Sequence, residues 1–140
     1  MRAKDYLERT IRLNRKINSL LKDKEMWLQM AYNISKDTTQ PHYNPNRSTA
    51  ATYEKCIAYA DELESRICAE IDRLADMKAE VMSKILQIGR VDCQLILQMR
   101  YINFRTWEDI ATELNYSQSW LFKKHALALR LFEKTLKEDS

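Results

Sequence analysis

One glycine and two prolines in 140 residues is very little. A β-rich fold spends both residue types on its turns, so the scarcity excludes one and leaves an all-α chain. Cysteine is also sparse. Cys56, Cys68 and Cys93 are odd in number and form no C-x-x-C pair, and His42 and His125 lie far from them in sequence. This excludes a disulfide framework and the usual zinc spacings. No metal or cofactor is expected, and the thiols read as helix-packing residues of a cytoplasmic protein. No run of about 18 apolar residues occurs, so no membrane span is expected. The opening MRAKDYLERTIRLN has no apolar signal-peptide core.

Charge of one sign is missing as well. The net charge is +3: residues 1–34 carry eight basic and four acidic side chains, 35–89 seven and nine, and 90–140 eight and seven. A polycation that holds nucleic acid by bulk charge is thereby excluded, and any DNA affinity must come from local placement. The materials of a catalytic centre are absent too. Glu108, Asp109 and Glu113 cluster on one predicted helix, but no nucleophile, base or glycine-rich phosphate loop accompanies them, so the chain is not expected to be an enzyme.

What the chain does have is helical periodicity. A first block, residues 3–34, places Leu7, Asn14, Ile17, Leu21 and Leu28 on one stripe, widened by Ile11, Leu20 and Trp27. Residues 35–47 hold both prolines and read as a loop, after which Ser48 or Thr49 is suited to cap a second helix. That helix, residues 49–88, carries the longest pattern: Tyr53, Ile57, Ala60, Glu64, Ile67, Ile71, Leu74, Lys78, Val81, Ile85 and Ile88. Alternating steps of three and four make a coiled-coil-like seam, which Glu64 and Lys78 interrupt. Residues 1–89 are therefore expected to form a long antiparallel helical hairpin. Each helix buries only one stripe, so a second copy is the natural partner and a homo-oligomer is expected. Gly89 is suited to end the second helix and Asp92 to cap the next, which places a domain boundary between 89 and 90.

Residues 90–140 read as a trihelical helix-turn-helix. A helix over 92–101 packs through Leu95, Ile96, Met99 and Tyr101. Thr106 can cap WEDIATEL, Asn115 tolerates the left-handed conformation of a tight turn, and Ser117 can cap the last helix. The apolar stripe of that helix runs through Leu121, His125, Ala128, Leu129, Phe132 and Leu136, which marks His125 as a structural residue. Gln118, Ser119, Phe122 and Lys123 point away from the stripe, with Lys124 flanking. These side chains suit a major groove: glutamine can pair with adenine, lysine can reach guanine or phosphate, and an aromatic ring can touch a thymine methyl. Arg105, Thr106 and the helix N-termini, with Ser117 opening the last of them, are suited to hold phosphates.

The run Leu97-Gln98-Met99-Arg100-Tyr101, then Thr106-Trp107-Glu108-Asp109-Ile110-Ala111-Thr112-Glu113-Leu114, then Ser117, Leu121 and His125-Ala126-Leu127-Ala128-Leu129 resembles the fourth region of sigma-70-type sigma factors. The resemblance covers about a third of the chain. The layout, with a helical N-terminal part before this module, is similar to that of phage and prophage regulators of the ArpU/RinA type. It implies double-stranded DNA binding, late-gene transcriptional regulation and contact with host RNA polymerase. It also implies that Ser117 opens the recognition helix and that Gln118, Ser119, Phe122 and Lys123 face the bases. Sigma factors often carry Arg, Glu and Arg where this chain has Gln118, Ser119 and Phe122, so their −35 specificity does not transfer. The regions with which a sigma factor melts DNA and grips the polymerase have no counterpart, so an autonomous sigma factor is not expected. Two other classes remain open: a small terminase-like packaging subunit, and a helical protein–protein interaction module.

Overall fold

The structure is a computed structural model that describes residues 2–37 and 47–138. All its regular elements are helical: α1 (Ala3–Asp37), α2 (Arg47–Ile85), α3 (Val91–Leu97), a π-helical turn (Gln98–Ile102), α4 (Trp107–Leu114) and α5 (Gln118–Glu138). The all-α expectation holds. Helix α1 continues three residues past the expected loop start at 35, and the proline-bearing residues 38–46 lie outside the described residues. Because α2 already begins at Arg47, Ser48 and Thr49 sit inside its first turn rather than at its cap.

The chain divides into two compact units. One, the hairpin unit, is Arg15–Arg73; the other, the core unit, combines residues up to Asn14 with those from Leu74 onward. In the hairpin unit the helices run antiparallel. Lys16 reaches Glu70 at 3.4 Å, Lys24 pairs with Glu64, and the Trp27 and Tyr59 rings lie 4.9 Å apart, so partners descend on α2 as they ascend on α1. Ile17, Leu20 and Ala31 are the buried residues of α1 in this unit, and Cys56, Ala60 and Ile67 those of α2.

The buried line of α2 differs from the expected seam. Cys56 and half-buried Leu63 and Glu70 take the inward places expected of Ile57, Glu64 and Ile71; Ile71 is 47% exposed. A shift of one residue turns a side chain by about 100° on a helix of 3.6 residues per turn. Leaving Glu64 outside keeps its carboxylate in water and within reach of Lys24, instead of unpaired in a core. Lys78, the other interruption, lays its ammonium over the Phe104 ring at 4.5 Å in the core unit.

The core unit does not respect the expected boundary at Gly89. Tyr6 and Leu7 of α1, Val81 and Ile85 of α2, and Leu97, Tyr101 and Phe132 of the C-terminal helices form one hydrophobic cluster. Tyr6 and Phe132 meet ring to ring at 5.7 Å. The Thr10 hydroxyl is fully buried, 2.8 Å from both the Leu7 and the Tyr101 carbonyl oxygens, and donates to one of them at a time. These contacts join residues 2–14 and 74–88 to the helix-turn-helix because neither side alone covers the apolar faces of α3 and α5.

Gly89 does not end α2. The helix stops at Ile85, and its last carbonyls are met by tight turns, Gln87 N–H to Lys84 O and Ile88 N–H to Ile85 O, with the Gln94 amide donating to the Ile88 carbonyl. Gly89 has no positive φ, and a β-carbon there would meet nothing within 4 Å. Gly89→Ala should therefore raise stability by about 0.4–1 kcal/mol, through lost freedom of the unfolded chain. A urea titration checks it, and a lower midpoint would contradict the geometry.

Candidate nucleic-acid interface

The helix-turn-helix is held by a small second cluster: Ile96, Met99, Ile110, Ala111 and Leu121, with Trp107, Leu114 and Tyr116 packed on it. Three local devices set its geometry. Thr106 is extended, and its hydroxyl accepts the Asp109 N–H at 3.1 Å, starting α4. Asn115 is left-handed, with φ 58° and ψ 39°, and stops that helix. The Ser117 hydroxyl accepts the Trp120 N–H at 3.1 Å and starts α5. Each satisfies backbone groups that a helix end leaves without partners. All three were expected from residue type.

Helix α3 starts differently from expectation. Arg90, not Asp92, occupies the cap position, and it makes no side-chain cap bond. Asp92 lies in the first turn, where it serves as an anchor. Its carboxylate accepts from the Cys93 N–H at 2.9 Å, from Arg90 at 3.0 Å and from the Lys124 ammonium at 3.0 Å. Partial burial alone would raise its pKa, but these donors outweigh it and bring it down to about 2. After α3 the backbone widens into the π-helical turn, where the expected helix was regular to 101. Met99 and Tyr101 are both buried there, in different clusters.

The eight expected DNA-binding residues fall into two groups. Gln118, Ser119, Phe122 and Lys123 are exposed on the first two turns of α5. Phe122 is 48% exposed, with its ring edge-on to Trp107 at 5.6 Å. The remaining four have structural duties. Thr106 and Ser117 are caps. Arg105 pairs with Glu113. Lys124 is tied to Asp92 and lies 5.1 Å from the centre of the Trp120 ring. Sequence reasoning missed these pairings, because their partners are 8 and 32 residues away.

It also missed Arg100. Its guanidinium lies over the Trp107 ring at 4.7 Å and donates to the Arg105 carbonyl at 3.0 Å, which ties the π-helical turn to the start of α4. Beside it, His125 Nε2 is 2.9 Å from the Tyr101 hydroxyl, and the His125 ring stands edge-on to Trp107 at 4.6 Å. Burial, helped by Lys4 and Arg100, lowers the His125 pKa to about 4. Burial, with Glu8, pushes the Tyr101 hydroxyl up to about 12. Both groups are neutral at pH 7, so this pair acts as packing with one hydrogen bond and not as an acid–base dyad.

A family model described as a protein of unknown function, DUF1492, matches residues 44–133. The chain belongs to the DUF1492 family. The match runs from before α2 well into α5, so the DUF1492 model includes the helix-turn-helix together with the helix that precedes it. No curated protein and no solved structure matches this DUF1492 member. Among its described residues, no group of three or more His, Cys, Asp or Glu is placed to hold a metal ion, and no helix is long and apolar enough to cross a membrane. Cys56 and Cys93 are buried as expected of packing thiols, whereas Cys68 is exposed.

Proposed function

We propose that this protein binds duplex DNA sequence-specifically and regulates phage or prophage transcription in the manner of a late-gene activator, with host RNA polymerase as a second partner. The observation that carries the reading is the capped pair α4 and α5. It leaves Gln118, Ser119, Phe122 and Lys123 exposed on one helix start while Leu121, His125, Ala128 and Phe132 hold α5 to the core. On this reading the first two turns of α5 enter the major groove. Gln118 pairs with an adenine edge, Phe122 touches a thymine methyl, and Lys123 reaches a guanine or a phosphate. Arg105 and Lys124 then act as positioning residues, since their charges are engaged within the unit. Exposed Leu21, Leu28 and Ile71 in the hairpin unit support self-association, which would present two or more recognition helices to symmetric half-sites.

The test is selection of bound sequences from random duplex DNA, followed by gel-shift titration on the winner. Lys123→Glu should weaken binding at least about tenfold, and Lys123→Ala should lower the slope of log affinity against log salt by about 1. Gln118→Ala should relax preference at one base pair, a discrimination of about 1–3 kcal/mol. No enriched sequence, or unchanged binding in both variants, sinks the reading. Light scattering that gives a monomer removes its oligomeric part. Large rings with no promoter effect would move the protein to the packaging class.

A further inference from the structure

The core unit contains a cavity of about 230 Å³ between the start of α1, the π-helical turn and α5. It does not belong to the exposed surface of α5, although Phe122 lines both. Part of its wall is made of flat rings. Trp107 meets Phe122 edge-on at 5.6 Å and His125 at 4.6 Å, and all three line the space. An apolar cavity of about 150 Å³ is enough to hold benzene, so this one has room for a single ring bearing a small substituent.

The charges around the rings indicate what that substituent is. Lys4, Glu8 and Arg100 line the same space. Glu8 lies 3.8 Å from Arg12, so its negative charge is shared with a cation outside the cavity. Lys4 and Arg100 make no ion pair among the described residues. Arg100 spends one terminal nitrogen on the Arg105 carbonyl, while its Nε is buried with no hydrogen-bond partner. An anionic oxygen is the strongest partner for a guanidinium or an ammonium group. His125 is neutral at pH 7, which leaves Lys4 and Arg100 as the cations of the lining.

We propose that this cavity is a binding site for a small single-ring aromatic carboxylate, with its carboxylate toward Lys4 and Arg100 and its ring against Trp107 and Phe122. The site shares Phe122 with the proposed DNA-contacting surface, but its binding is read with no DNA present, so it can fail or hold separately from that reading.

Isothermal titration of the full chain with benzoate is the test, with benzamide and inorganic phosphate as comparison probes. Benzoate should bind saturably at one site per chain. Benzamide, which lacks the charge, and phosphate, which lacks the ring, should each bind at least about tenfold more weakly. Lys4→Met and Phe122→Ala alter exposed positions, so thermal melts should show both variants folded. Each should weaken benzoate binding about tenfold or more. Absence of saturable heat at about 10 mM benzoate overturns the proposal. So does equal affinity for benzamide, equal affinity for phosphate, or unchanged affinity in both variants.

Discussion

Residues 90–140 expressed alone should not fold cooperatively, although they contain the whole helix-turn-helix. The cut removes Tyr6, Leu7, Val81, Ile85 and Ile88 from the shared cluster and leaves Cys93, Leu97, Tyr101, Ala128 and Phe132 facing water. Exposing a large buried side chain loses about 1.5–3 kcal/mol. Several together approach the entire stability of a small domain, about 5–15 kcal/mol. The Tyr101 carbonyl also loses the Thr10 hydroxyl, leaving a polar group of the π-helical turn without that partner. Within the full chain, Phe132→Ala isolates one part of the same interface. Phe132 is fully buried against Tyr6, so the substitution should cost about 3–5 kcal/mol. Urea unfolding followed by circular dichroism reads both. A fragment that unfolds cooperatively with a midpoint near that of the full chain would show that residues 2–14 and 74–88 are dispensable to the module.

Acid should destabilise the protein through His125 well before most carboxylates titrate. Its pKa is about 4 in the folded chain against the ordinary 6.5, so between these values the unfolded chain binds the extra proton. Stability is therefore complete above about pH 6.5 and declines as pH falls, with about 3 kcal/mol lost by pH 4. Asp92 adds a separate, lower window. Its folded pKa is about 2 against 3.8, so its contribution is present above pH 4 and is lost as pH falls toward 2. Urea midpoints at closely spaced pH values should show the upper window in the parent chain and its disappearance in His125→Leu. An unchanged pH slope in that variant, or an NMR titration of the His125 ring near 6.5, would contradict a buried neutral imidazole.

The parts of this molecule that could be read in advance are those set by local backbone chemistry. Thr106, Asn115 and Ser117 announce two helix starts and one stop because each acts on backbone within four residues of itself, the first and last by a hydroxyl and Asn115 by its left-handed conformation. The all-α fold followed from the scarcity of turn residues. What escaped depends on distant partners. Asp92 has the chemistry of a cap, but Arg90 and Lys124 engage it from the first turn, and only the folded chain brings Lys124 there. The seam on α2 was legible at Ala60, Ile67 and Leu74 and misplaced between them, because candidate residues stand on two adjacent stripes and Leu63 and Glu70 turn inward in place of Glu64 and Ile71. Gly89 suggested a boundary that the shared core does not respect. The candidate interface was legible as a helix end; which of its cations were already engaged was not.

The engagement of those cations has a kinetic consequence. A protein that slides along DNA does so on charge that is indifferent to sequence, held loosely by mobile counterions. Here Asp92 engages Lys124 and Glu113 engages Arg105, and Lys123 is the exposed cation on the first two turns of α5. On duplex DNA such a protein would have a short residence time at wrong sites. Under the proposed DNA-binding reading, the search would run through repeated collisions from solution, not by scanning along the groove.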